Sequence, residues 1–352
     1  MTYEDIQHST RIALFTHINP DGDALGSTLA LMAWLDSLGK DVRLFIPSIY
    51  AESLAFMVES KYQEKITVWD KENEETIGAD IQSRDLLIGL DFNTLDRIGA
   101  FREHFCASHA RKLLIDHHVA PQADAFDSVS SCTEVSSTCE LLYKILMKMP
   151  GIDGNASALP AFSAKSILTG ITTDTNNFAN SVFPDTLRIT SELLAAGVDR
   201  DAIIQSLFFN YPERRMRAMG FVLSRKMTIL PCGLAYIILN KHDLAQFKLR
   251  EGDTEGFVNL PLSIDNVKMS ILLKQEQGTA NVRVSIRSKE GFSARKMAME
   301  HFHGGGHEKA SGGKLVIGKD ISHMRKAASY VEHAAKAHFA QYKEDELSEQ
   351  QV

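Results

Sequence analysis

Short apolar runs alternate with stretches of helical spacing over the first half of the chain. Arg11-Ile12-Ala13-Leu14-Phe15-Thr16 is an apolar run that closes on a polar residue, which predicts a buried strand. Over residues 24–38, Leu25, Leu29, Met32 and Leu35 recur at helical spacing, and Gly39 closes the segment. Residues 41–46, 85–90 and 112–115 read as three further strands, and residues 134–149 and 163–172 as two further helices. Strands alternating with helices predict an α/β domain: a parallel sheet covered by helices on both faces.

The texture changes further along. Residues 184–226 read as continuously helical with a polar break at Asn210-Tyr211-Pro212, the expected connection between two domains. Beyond Pro231, residues 234–239 predict a strand, and residues 268–274 and 281–288 predict a pair around the Gln277-Gly278 turn. Gly304-Gly305-Gly306 follows, then a helix over residues 322–342. The expected division is a parallel-sheet domain over 1–185, a helical linker over 186–228, a smaller α+β substrate-binding domain over 229–342 and a disordered polar tail over 343–352. A chain of 352 residues is long enough for two cores.

Composition adds three constraints. No apolar stretch reaches the length of a membrane span, and the start, Met1-Thr2-Tyr3-Glu4-Asp5, is acidic; both point to a cytoplasmic protein without a membrane partner. The four cysteines form no CxxC pair, which suits reduced structural thiols. The net charge of −7 argues against long duplex nucleic acid, whose phosphates call for a basic excess, and favours mono- or oligonucleotides. No pattern specifies a homodimer, which stays open.

The chemistry concentrates where strands end. His17, Asp21 and Asp23 fall within seven residues at a strand-to-helix junction, where sites form in open α/β sheets. Taken alone, this loop reads equally well as a solvated turn with Asp23 capping the next helix. Three more groups occur at the same level: Asp91, Asp116-His117-His118, and Asp174, the last closing an apolar helix. A carboxylate directly after a buried strand is costly unless paired or metal-bound. Mixed His and Asp donors without cysteine suit Mn²⁺, with Mg²⁺ and Co²⁺ as alternatives, and argue against structural zinc. His17, Asp21, Asp23, Asp91, His117 and Asp174 are six candidate ligands, enough for two ions.

The motifs His17-x-x-Pro20-Asp21-Gly22-Asp23-Ala24-x-Gly26-Ser27, Asp91, Asp116-His117-His118 and Asp174-Thr175 resemble, in order and spacing, the four motifs of the DHH phosphoesterases. The resemblance implies one ion on His17, Asp21 and Asp91, and a second on Asp23, Asp91, His117 and Asp174, with Asp91 bridging. It implies catalytic roles for Asp91, for Asp116 behind a histidine and for His118 facing phosphate. Gly26 and Ser27, early in the first helix, are candidates for phosphate binding or for close packing.

In the second half, Arg287-Ser288 and the run Gly304-Gly305-Gly306-His307-Glu308-Lys309-Ala310-Ser311-Gly312-Gly313 carry the other signal. Successive glycines expose N–H groups, a helix start after His307 would favour an anion, and Arg287 can grip phosphate through two bonds. The pattern resembles the substrate-binding domain of one DHH subfamily, with Ser311 where alanine is common. That implies Arg287, Ser288, Gly304, Gly305, Gly306 and His307 as substrate-binding residues. It implies the compact enzymes that act on nano-RNA or adenosine 3′,5′-bisphosphate, rather than the family's pyrophosphatases, long exonucleases or membrane-bound phosphodiesterases. The rival expectations are hydrolysis of pApA and a silent nucleotide-binding regulator; the complete ligand set opposes the latter. Arg214, Arg215 and Arg217 read as a solvated helix face, Phe208, Phe209 and Tyr211 as packing residues, and His301 and His303 as exposed polar residues.

Overall fold

The computed structural model describes residues 2–250 and 252–349, with side chains as far as Ala340. The chain forms two compact units, residues 1–210 and 211–352.

In the first unit, β1 (Arg11–Phe15), β2 (Asp41–Ile46), β3 (Ile66–Val68), β4 (Leu86–Leu90), β5 (Arg111–Asp116) and β6 (Ser128–Ser131) form one parallel sheet in the order β3-β2-β1-β4-β5-β6. The chain fills one side of β1 first and then crosses to the other, so the order reverses between β1 and β4. That reversal opens a crevice beyond the carboxyl ends of these strands. Every residue of β4 is buried, as a strand covered on both faces requires. One face packs Leu25, Leu29, Leu35, Leu142, Leu146 and Ile167 from three helices. The other packs an aromatic group in which Phe15 stacks on Phe45 at 5.2 Å and meets Phe105 edge-on at 5.1 Å.

The helix Gly22–Ser37 lies against the helix Ala161–Asp174, and Gly26 sets how closely. A Cβ there would stand 2.7 Å from the Ser166 carbonyl and 3.0 Å from Cys139 Sγ. Gly26 thus serves packing, and Ser27 is buried with its hydroxyl donated to the Asp23 carbonyl at 2.8 Å. The helix expected from residue 134 begins at Thr138, because Ser137 caps it by accepting from Glu140 N at 3.0 Å.

The expected continuous helix over 184–226 is three helices, Pro184–Ala195, Arg200–Phe208 and Glu213–Phe221, followed by a single wide turn, Val222–Lys226. Asp199 starts the second by accepting from Ala202 N at 2.9 Å. The first two belong to the first unit and the third to the second, so residues 186–228 are shared between the units.

The second unit holds β7 (Met227–Ile229), β8 (Leu234–Leu239), β9 (Met269–Gln275), β10 (Asn281–Ser288), β11 (Gly305–Gly306) and β12 (Ala310–Val316), in the order β11-β12-β10-β9-β8-β7. Only β8 and β9 run parallel. The helices Ala294–His301 and Ala327–Glu349 cover one face through Met297, Phe302, Val331 and Ala335. Phe257, Val258, Ala218 and Val222 cover the other. The helix expected to end near 342 continues to Glu349, so residues 343–349 are helical rather than a disordered tail. Lys343, Glu344, Glu346 and Leu347 are strong helix formers and extend it. The rest of that expected tail, residues 350–352, lies outside the described residues. Among the described residues, no helix is long and apolar enough to cross a membrane.

Candidate metal centre

The strands β1, β4 and β5 end level with one another: Phe15 pairs with Gly89, and Leu90 with Ile115. His17 lies just beyond β1, Asp91 directly after β4, and Asp116 ends β5 with His117 and His118 following. Asp21 caps the helix Gly22–Ser37, accepting from Asp23 N and Ala24 N at 3.0 Å each. The cap is therefore Asp21. Asp23, the residue expected to cap if the loop were merely structural, is buried within the first turn of the helix. Its two oxygens accept from Thr138 N at 2.7 Å and Cys139 N at 2.9 Å. Asp174 closes the helix Ala161–Asp174.

These side chains meet in two sets, His17, Asp21 and Asp91 in one and Asp23, His117 and Asp174 in the other, with Asp91 also beside His117 and His118. In the first, His17 Nε2 lies 3.6 Å from Asp91 Oδ2 and 3.9 Å from Asp21 Oδ2. His17 Nδ1 donates to the Ile18 carbonyl at 2.9 Å, which leaves Nε2 as the free lone pair facing the carboxylates. In the second, Asp23, His117 and Asp174 bring one donor atom each within 4.8 Å of the others. His117 Nε2 stands 3.6 Å from Asp174 Oδ2 and 3.7 Å from Asp91 Oδ1. Asp116, fully buried, holds His118: its Oδ1 is 2.7 Å from His118 Nδ1. Asp91 itself has φ +65°, in the left-handed region that aspartate enters more readily than most residues with a side chain.

The carboxylates in this space repel one another. Burial raises the Asp23 carboxyl well above the usual range, and the charges of Asp91, Asp174 and Asp21 raise it further. Asp174 is pushed up to about 8, again by burial first and then by Asp91 and Asp21. Asp91 goes the other way: burial opposes its ionisation, but the neighbouring imidazoles of His17, His117 and His118 hold it below the usual range. For His17, burial disfavours the charged ring, yet Asp91 and Asp21 outweigh it and raise the pKa. His118 is raised in the same way, the Asp116 hydrogen bond overcoming burial, whereas for His117 burial prevails and lowers it. Oxygen and imidazole donors separated by 3.6–3.9 Å are too far apart to hydrogen-bond and near enough to share an ion. The donor set fits divalent cations.

Two residues that sequence reasoning passed over complete the wall. Thr138 touches both sets: its N–H binds Asp23, and its hydroxyl donates to Asp91 Oδ1 at 2.8 Å. Glu140, fully buried, accepts from Ser136 N at 3.2 Å, Ser136 Oγ at 2.7 Å and Thr186 Oγ1 at 2.6 Å, and pairs with Lys144 at 2.8 Å. The signal for both was present in Ser136-Ser137-Thr138-x-Glu140, a run of capping residues ahead of a helix.

In the second unit, Arg287 and Ser288 end β10, and the glycines form a hairpin at the edge of the same sheet. Gly305 pairs with Gly312 and Gly306 with Ser311, while His307 and Ala310 exchange backbone hydrogen bonds at 2.9 and 3.2 Å. The expected helix start after His307 is thus a two-residue turn into β12: the register with β12 claims the backbone first. Arg287 opposes Ala310, its Nη1 donating to Ile286 O at 2.9 Å. Ser288 Oγ is buried with no hydrogen-bond partner among the described residues. The arginines are not one solvated face. Arg217 is exposed beside Glu213, but Arg214 pairs with Asp253, and Arg215 is buried with its guanidinium 4.2 Å from the Tyr211 ring. Phe208 packs on the core, whereas Phe209 stands exposed. His303 is exposed, but His301 is half-buried.

Residues 11–171 match the DHH family N-terminal domain, and residues 234–334 match the DHHA1 domain. The chain is 31% identical to the bifunctional oligoribonuclease and PAP phosphatase NrnA of Thermus thermophilus, over 86% of this chain and 84% of that protein. It is 26% identical to the protein of the same name from Bacillus subtilis, over 86% and 89%. The crystal structure of an exopolyphosphatase-related protein from Bacteroides fragilis superposes with a TM-score of 0.88 at 34% identity, over 97% of this chain and 96% of that one. The chain belongs to the DHH family. Within that class it is a phosphoesterase.

Proposed function

We propose that this phosphoesterase hydrolyses short oligoribonucleotides and adenosine 3′,5′-bisphosphate to nucleoside 5′-monophosphates, using two divalent ions of which Mn²⁺ suits the donors best. The observation that carries the reading is the position of Asp91, whose two oxygens face different ligand sets. His17, Asp21 and Asp91 form one ligand set; Asp23, Asp91, His117 and Asp174 form the other. Ions bound there would supply a water acidic enough to attack phosphorus and would neutralise the charge that builds up. The T. thermophilus and B. subtilis relatives carry both activities in their names, which supports the substrate class.

The chain's own residues do the rest. Asp116 fixes the His118 ring through Nδ1, leaving Nε2 to meet the substrate phosphate or the leaving oxygen. Thr138 keeps the Asp91 carboxylate in orientation. Arg287, Ser288, the glycine strand Gly304 to Gly306 and His307 recognise phosphate and sugar. The test is product analysis with Mn²⁺ and, in parallel, a labelled RNA dinucleotide, pApA, adenosine 3′,5′-bisphosphate and pyrophosphate. Turnover of the dinucleotide and the bisphosphate is expected, and Asp91→Ala is expected to abolish it while the fold persists. Exclusive turnover of pApA would reassign the substrate, and silence with every metal would favour a binding protein.

A further inference from the structure

A second group of imidazole and carboxylate donors lies wholly within the second unit. Glu300 and His301 end the helix Ala294–His301, and His338 projects from the helix Ala327–Glu349. One ligand atom from each comes within 4.8 Å of the others. His301 Nε2 is 3.8 Å from Glu300 Oε2, and His338 Nδ1 is 3.9 Å from the same oxygen. Such separations are longer than hydrogen bonds. Zinc bonds of ~2.0–2.1 Å place tetrahedral donors about 3.3 Å apart, so each of the two separations to the Glu300 oxygen must close by about half an ångström. Glu300, with a solvent-facing side chain on three rotatable bonds, supplies that movement. His301 Nε2 is buried and has no hydrogen-bond partner among the described residues. Burying such a nitrogen unsatisfied is costly, and an ion at the centre of the group removes the cost.

We infer that Glu300, His301 and His338 form a separate site for one Zn²⁺-class transition ion, with its remaining position open to solvent beside Glu300. Two imidazoles and one carboxylate favour zinc and its neighbours over Mg²⁺ or Ca²⁺, which prefer all-oxygen shells. The site ties the end of one helix to another, at a point already pinned by the Tyr330 hydroxyl on the His301 carbonyl at 2.7 Å. The pinned helix runs straight into the strand Gly305–Gly306. The ion ties the two helices together where the glycine hairpin begins.

The test uses the full-length chain and Zn²⁺ alone, with equilibrium dialysis and elemental analysis. The Asp91→Ala variant weakens the first unit's centre and serves as the background. Adding Glu300→Gln and His301→Gln is expected to remove one equivalent of tightly held zinc and the zinc-dependent rise in Tm. His338, in the core, is left in place, and circular dichroism of the metal-free variants checks that they fold. Glu300→Gln alone, at the most exposed of the three positions, is expected to weaken this zinc equivalent at least tenfold while leaving Mn²⁺-dependent hydrolysis by the otherwise unchanged chain intact. An unchanged zinc count or affinity in these folded variants overturns the site.

Discussion

Thr138 shows how much one uncharged side chain can hold in place. It is fully buried, its N–H is committed to Asp23 and its hydroxyl to Asp91, so it fixes the relative placement of two carboxylates drawn from different elements. Groups that orient metal ligands in this way commonly contribute about 10–100-fold in metal affinity or activity. Thr138→Val keeps the shape and removes the hydroxyl. The expected outcome is a fall in kcat/KM of about that size, steeper at low Mn²⁺, with Thr138→Ser restoring most of it. A valine variant with unchanged metal dependence would reduce Thr138 to a packing residue. Asp116 bears on His118 similarly. Asp116→Asn keeps the volume but weakens the charge-assisted bond at 2.7 Å, and kcat is expected to fall about tenfold or more with little change in KM. Initial-rate kinetics on a dinucleotide separate the two parameters.

At the scale of elements, the glycine hairpin makes the sharpest claim about stability. A Cβ on Gly304 would stand 1.9 Å from the Gly312 carbonyl and 2.5 Å from Gly313 Cα, both backbone atoms that cannot swing away. Gly305, next to it, has open space where its Cβ would go. Gly304→Ala is expected to destabilise the second unit by about 1–3 kcal/mol, whereas Gly305→Ala stays within about 0.5 kcal/mol of the parent. Denaturant melts of the two variants decide the matter, and equal losses would mean that the close approach is not what fixes this strand. The contrast also shows what periodicity can reveal. The strands β1, β2 and β4 and the helices that follow β1 and β6 were legible, because a buried parallel strand is apolar throughout and an amphipathic helix repeats at its own spacing. β3, with three residues, and β6, Ser128-Val129-Ser130-Ser131, were not, because edge strands are short and carry little apolar signal. β11 is two glycines and has no side-chain pattern at all. The candidate metal ligands stood out because chemistry dictates residue type: His17, Asp91 and His117 lie at or just beyond strand ends. Thr138 and Glu140 did not, since a threonine and a glutamate at a helix start look the same whether they cap the helix or brace a site.

At the scale of the molecule, the mutually repelling carboxylates link metal, pH and stability. Asp174 has its pKa pushed up to about 8 and Asp23 is raised well above the usual range, so in the metal-free fold both hold protons at a pH where the unfolded chain has released them. A group raised in this way contributes stability that is complete below its unfolded pKa and is lost as pH rises through its folded pKa. His17 and His118, also raised, act in the same direction. His117, His301 and His338, all lowered by burial, oppose them below the unfolded histidine pKa, while Asp91 is ionised in both states above pH 5 and contributes no slope there. The metal-free protein is therefore expected to lose thermal stability as pH rises from about 6.5 to 8, where the lowered histidines are neutral in both states. Divalent ions reverse the sign, because they bind the deprotonated carboxylates and neutral imidazoles of the fold and so bind more tightly as pH rises. Calorimetry in a chelator and in excess Mn²⁺, at pH 5, 6, 7 and 8, is expected to give Tm curves that diverge with increasing pH. A chelated protein that instead gains stability between about pH 6.5 and pH 8 would show that the carboxylates are satisfied without a cation, and the case for a metal centre between β1, β4 and β5 would fall with it.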